Sequence, residues 1–243
     1  MILLINDIEK KIPFELAEIT LGQFIEYYDR YGRDLDSKLD ELIGKVYENE
    51  DEKEFNQELN INTHIDEECI AWVSFWTGFS FEDIKDKPDI LPVLTEYRKF
   101  RQQLKQSEDA SNTYPSIIEW EGCQWEIQDY ALTPSNGMTF NEVITSKEVI
   151  RQVHALGKKK WDALPYLCAI FLRKTGEPFN DEFVQDGSER LKIMQSLPMS
   201  HAIQVAFFLS SCVSTWMDIS QYLKEEAVTE SQNSQHTLKS GVG

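Results

Sequence analysis

A chain of 243 residues with 24 basic against 42 acidic side chains carries a net charge of −18. A field of that sign repels nucleic acid and anionic membrane surfaces, which argues against sequence-independent binding to either. With 41% hydrophobic and 12% aromatic residues, the chain can bury a substantial interior, and its length suits one large domain or two of ordinary size.

In chain order, the first signal is Asn6-Asp7 between two short apolar runs, which predicts a β-hairpin. Thr20 with Gln23 three residues on predicts a capping box. Phe24, Ile25, Tyr28 and Tyr31 then recur at helical spacing up to a stop at Gly32. Charge dominates residues 34–68. Leu35, Leu39, Leu42, Ile43 and Val46 predict an amphipathic helix there, and the acidic run 48–54 an exposed loop. A buried helix follows over 69–76, and Pro88 and Pro92 bracket a turn into a helix over 93–104. The polar stretch 105–115 predicts a linker.

The second half opens on another hairpin at Glu121-Gly122 and another capping box, Thr139 with Glu142. Its first helix carries Val143, Val149, Ile150, Val153 and Leu156, breaks near Thr145-Ser146 and stops at Gly157. Further helices are predicted over 161–172, with Pro165 in the first turn, over 181–197 and over 200–223. The longest apolar stretch, 202–213, is interrupted by Gln204, Ser210 and Ser211 and is too short to cross a bilayer. The opening Met1-Ile2-Leu3 lacks the basic start of a signal peptide. Residues 224–243 form an extended polar tail whose composition cannot order it unaided.

The halves share a plan. Each has a hairpin, a capped helix and a later segment with Thr-Gly, an aromatic and an aspartate: Thr77-Gly78 with Phe81 and Asp83, then Thr175-Gly176 with Phe179 and Asp181. The reading is a mostly α protein of two helical lobes from an internal duplication, each opened by a short β-hairpin. The first lobe is 1–104 with an acidic insertion at about 34–68, the linker 105–115, the second lobe 116–223 and the tail 224–243. In both Thr-Gly segments the glycine would end a buried helix, the phenylalanine would plug into the core and the aspartate would serve the next helix.

Chemistry-bearing patterns are sparse. His64, His154, His201 and His236 are scattered. His64 with Asp66, Glu67, Glu68 and Cys69 reads as an acidic helix start ahead of a metal cluster. Cys69, Cys123, Cys168 and Cys212 lie far apart, which points to reduced thiols. Lys158-Lys159-Lys160 suits a helix C-terminus better than a phosphate site. No glycine-rich phosphate loop or nucleophile elbow occurs, so no catalytic residue, cofactor or metal is assigned. The richest feature is aromatic. Trp72, Phe75 and Trp76 in one helix and Phe207 and Phe208 in the last put much large apolar surface in short spans, first as core and then as interaction candidates.

The run Ile19-Thr20-Leu21-Gly22-Gln23-Phe24 and the run Leu164-Pro165-Tyr166-Leu167, with Ser196-Leu197-Pro198-Met199 and Phe207-Phe208 behind it, resemble structural and assembly proteins of tailed bacteriophages. The style is that of phages of gut Bacteroidetes, including the crAss-like group. The resemblance implies a non-enzymatic virion protein of the portal or tail region, a ring or packaged cargo component, in the particle and in the host cytoplasm during assembly. Its partners would be other phage structural proteins, with copies of itself in a ring as one arrangement. A tail-assembly chaperone absent from the mature particle is the alternative. The competing class is an intracellular enzyme or regulatory module, which a pocket joining His154 or His201 to acidic residues of the first half would favour.

Overall fold

The computed structural model describes residues 1–5, 8–45, 50–87, 90–109, 116–128, 138–157 and 160–206. Helices dominate, with two small antiparallel sheets beside them. Strands β1 (Ile2–Ile5) and β2 (Ile8–Lys11) form the first hairpin, Ile5 paired with Ile8. Asn6-Asp7, which predicts its turn, lies outside the described residues. Helix α1 (Leu21–Tyr27) starts from the complete capping box: the Gln23 amide donates to Thr20 Oγ1 at 3.2 Å, and the Thr20 amide donates to Gln23 Oε1 at 3.0 Å.

The helix does not stop at Gly32. It passes through one π-helical turn, Tyr28–Gly32, into α2 (Arg33–Ile43). Gly32 has an ordinary helical φ of −62°, and a Cβ there would collide with the Tyr28 ring. The glycine makes room for that ring inside the helix. The acidic run is not a loop either. Helix α3 (Glu50–Thr77) contains residues 50–54, while Glu48 and Asn49 lie outside the described residues. His64 and its acidic neighbours therefore sit in the middle of a 28-residue helix, not at its start. Gly78, with φ of 77°, ends it as expected.

After α4 (Phe81–Lys85), helix α5 (Ile90–Asp109) begins before Pro92 and runs into the expected linker as far as Asp109. Pro88 and residues 110–115 lie outside the described residues. The second hairpin pairs β3 (Ile117–Trp120) with β4 (Cys123–Ile127) through Glu121 and Gly122, with φ of 51° and 69°. Both values are positive, as a two-residue primed turn requires. Helix α6 (Phe140–Ala155) has the second capping box and ends at Gly157, φ 67°. It runs unbroken past Thr145-Ser146, where Ser146 Oγ donates to the Val143 carbonyl at 2.9 Å.

Helix α7 (Lys160–Phe171) holds Pro165 in its second turn, beyond the expected first. It passes directly into β5 (Leu172–Lys174), the third strand of the β3-β4-β5 sheet. Gly176, φ 79°, thus follows a strand and not a helix. The helix expected over 181–197 is instead a 3-10 turn (Asp181–Val184), a bend at Gly187 and α8 (Glu189–Ser196), since Gly187 takes a positive φ of 79° that interrupts helix. Residues 199–206 are helical again, and 207–243 lie outside the described residues.

The shared pieces of the halves are thus the hairpin, the capped helix and the positive-φ glycine. Their surroundings differ, because the second hairpin gains β5 and the first gains no third strand among the described residues. One hydrophobic cluster draws on both halves, from Leu3 through Trp72 and Phe100 to Phe171 and Val205. A bridge between Thr20 and Pro198 ties them: the Leu21 amide donates to the Leu197 carbonyl and the Met199 amide to the Ile19 carbonyl, both at 2.8 Å. At the crossing, a Cβ on Gly22 would come within 3.0 Å of the Gln195 carbonyl oxygen, so α1 approaches α8 through a residue without a side chain.

Candidate functional site

Trp72 is the hub of the aromatic cluster. Its ring meets Tyr27 edge-on at 4.7 Å, Phe100 at 4.9 Å and Trp76 at 5.6 Å, and its Nε1 donates to the Pro13 carbonyl at 3.0 Å. It is fully buried, so it builds the interior and offers no surface to a partner. Phe75 and Trp76 are half-buried, with ring centroids 5.2 Å apart, and Phe75 also meets Tyr27 at 5.7 Å. Phe207 and Phe208 lie outside the described residues. The expected plug residue Phe81 is 40% exposed and covers Tyr31 at 5.7 Å, while Phe179 is half-buried against Phe183.

Beside Trp72 opens a cleft of about 420 Å³ between the α1–α2 helix, α3 and α5. Tyr27, Trp72, Tyr97 and Phe100 form its floor, and Asp36, Glu68, Arg101 and Lys105 stand among its lining. The π-turn shapes one wall. It turns Tyr28 so that the hydroxyl donates to Asp36 Oδ2 and the ring faces the Arg33 guanidinium at 5.6 Å. Arg33 in turn bonds Asp162 of α7 at 2.6 Å, and Trp161 meets Phe24 edge-on at 5.0 Å. The second half thereby closes one end of the cleft.

Within the cleft, Glu68 is paired on two sides. It lies between His64 Nε2 at 3.1 Å and Arg101 Nε at 2.8 Å. Burial raises its pKa above the usual carboxylate range, against the pull of Arg101 and His64. Burial also raises the Tyr27, Tyr28 and Tyr97 hydroxyls, and pushes the Cys69 thiol up to about 12. These groups stay protonated at neutral pH and act as hydrogen-bond donors and apolar surface, not as bases or nucleophiles. The cleft is thus a charged opening above a buried aromatic cluster whose rings offer little surface to a ligand.

Neither His154 nor His201 lines this cleft. His154 is exposed near the end of α6, and His201, half-buried next to Gln204, has its pKa lowered by burial. In the sequence Glu68 stood out only as part of an acidic helix start weighed against a metal cluster, and Tyr97 and Arg101 were not singled out. A signal existed: His64, Glu68 and Trp72 are spaced one turn apart on α3, as are Tyr97 and Arg101 on α5, so each helix presents charge and aromatic on one face.

Apolar side chains also stand outward in rows. Ile2 and Leu4 on β1 are 68% and 54% exposed, Phe55 and Leu59 lie one turn apart on α3, and Phe140 (73% exposed) and Ile144 one turn apart on α6. No protein-family model, curated protein or solved structure matches the chain. Among the described residues, no helix is long and apolar enough to cross a membrane.

Proposed function

We propose that this chain is a non-enzymatic particle or particle-assembly protein of a tailed bacteriophage, working by contact with other proteins. The observation that supports the contact role is the set of outward apolar rows on β1, α3 and α6. In a chain of net charge −18, solubility alone would favour charge at those positions, and clustered exposed apolar residues mark surfaces that bind. The phage setting rests on the sequence resemblance around Ile19–Phe24 and Leu164–Leu167. The acidic field suits a protein that shares a compartment with an anionic genome without adhering to it.

Mass spectrometry of purified virions beside infected-cell lysate tests the reading. A fixed copy number in virions supports a ring or cargo component of the portal or tail region. Presence in lysate alone supports the assembly chaperone. A turnover activity of the isolated chain, lost on changing His154 or His201, overturns both.

A further inference from the structure

We propose that β1 is a self-association edge on which a second copy of this chain docks its own β1, antiparallel, about a twofold axis. The backbone geometry supplies the first reason. Met1 and Ile12 exchange both backbone hydrogen bonds at 2.8 Å, and the register pairs Ile2 with Lys11, Leu3 with Lys10 and Leu4 with Glu9. Antiparallel ladders alternate bonded and non-bonded pairs. Leu3 and Lys10 are therefore bonded, and the N–H and C=O groups of Ile2 and Leu4 point away from β2. No other strand pairs with β1 among the described residues, so those groups form an open edge.

The side chains select the occupant. The side chains of residues 1–5 are uncharged, the Met1 ammonium being held on the Ile12 carbonyl of the hairpin, whereas the outer edge of β2 carries Glu9 and Lys11, the latter paired with Glu18 at 2.8 Å. Charged side chains protect an edge, and their absence leaves it open to pairing. A chain of net charge −18 meets repulsion from its own copy over most of its surface, and β1 is a neutral stretch where two copies can touch. The strand is also self-complementary in the register its open groups require. Ile2 exchanges both hydrogen bonds with Leu4 of the second copy, the twofold repeats this for Leu4 and Ile2, and the two Leu3 residues face each other on the axis. Ile2 and Leu4 belong to the same outward face, so the pairing covers the two exposed side chains together and sets no charge opposite another. A contact of this length is smaller than a standard interface, so the dimer is reversible.

This inference rests on the reading that the chain works through protein contacts, and its test is independent of the virion measurement. Sedimentation equilibrium of the full chain is expected to show a monomer–dimer equilibrium that strengthens as salt is raised, because screening relieves the repulsion between copies. Leu4→Pro removes an outward N–H that the hairpin does not use, and should weaken dimerisation at least tenfold with little change in the urea midpoint. Leu4→Lys should do the same by charge if the proline disturbs the strand. Glu9→Pro, the matching change on the opposite edge, should leave the dimer intact. A chain that stays monomeric at every concentration overturns the proposal, as does a dimer that survives both Leu4 variants. A monomer that pairs only with a different protein through this edge overturns it as well and leaves the contact role standing.

Discussion

Tyr28 and Gly32 show how little a residue's type reveals apart from its neighbours. Glycine at the end of a helical pattern usually signals a stop, yet here it makes room for an aromatic ring one turn earlier. Gly32→Ala should therefore destabilise by about 1–2 kcal/mol, overpacking outweighing the gain in helix propensity. In a Tyr28→Ala background the ring is gone, and the same change should become neutral or stabilising by up to about 1 kcal/mol. A double-mutant cycle from urea midpoints checks it. Phe81 makes the reverse point: its expected role as a plug would give a loss of about 3–5 kcal/mol on truncation, but at 40% exposure Phe81→Ala should cost about 1 kcal/mol or less. Phe100→Ala, in the buried cluster, should cost about 3–5 kcal/mol in the same assay.

Glu68 adds a pH dependence. Its folded pKa lies above its ordinary value of 4.5, chiefly through burial. The stability linked to its proton is fully present below pH 4.5 and is lost as pH rises through the folded pKa. Glu68→Gln should flatten that part of the stability profile. An unchanged slope in denaturation curves across mildly acidic pH would show that the carboxylate is solvated.

Among elements, those written locally were legible. Both capping boxes, the Glu121-Gly122 turn and the positive-φ stops at Gly78 and Gly157 depend on residues within a few positions of each other. The start of α3 was not, because a run of Glu, Asp and Lys reports exposure and says nothing against helix, which Glu and Lys favour. β5 was missed for another reason: Leu172–Lys174 continues an apolar helix, and only the partner strand β4 draws it into a sheet. An ion pair fixes that junction. Glu142, which closes the capping box of α6, meets Arg173 of β5 at 2.9 Å with both side chains buried. Arg173→Met should cost about 3–5 kcal/mol by leaving Glu142 uncompensated, and adding Glu142→Gln should recover part of it. Chemical denaturation of the three variants decides this. Full additivity would mean that the pair is not coupled.

For the whole molecule, the described residues of both halves share one hydrophobic cluster, the shared core that two lobes of one duplication need. Calorimetry should accordingly give a single unfolding transition; two resolved transitions would show independent lobes. The candidate cleft was the hardest part to foresee. Its floor and mouth come from the α1–α2 helix, α3 and α5, with Trp161 of α7 closing one end, and no sequence window contains more than one wall.

The Thr20–Pro198 bridge also sets an order of events during synthesis. The strand segment that leads into α1 finds its partner about 180 residues later in the chain. A ribosome adding roughly 5–20 residues per second needs about 10–35 s to deliver it. Throughout that interval Ile19 and Leu21, fully buried in the finished molecule, await the segment that bridges to them. Until the segment around Pro198 emerges these apolar side chains lack this cover, and a stall before residue 199 leaves the first half without its closing contact.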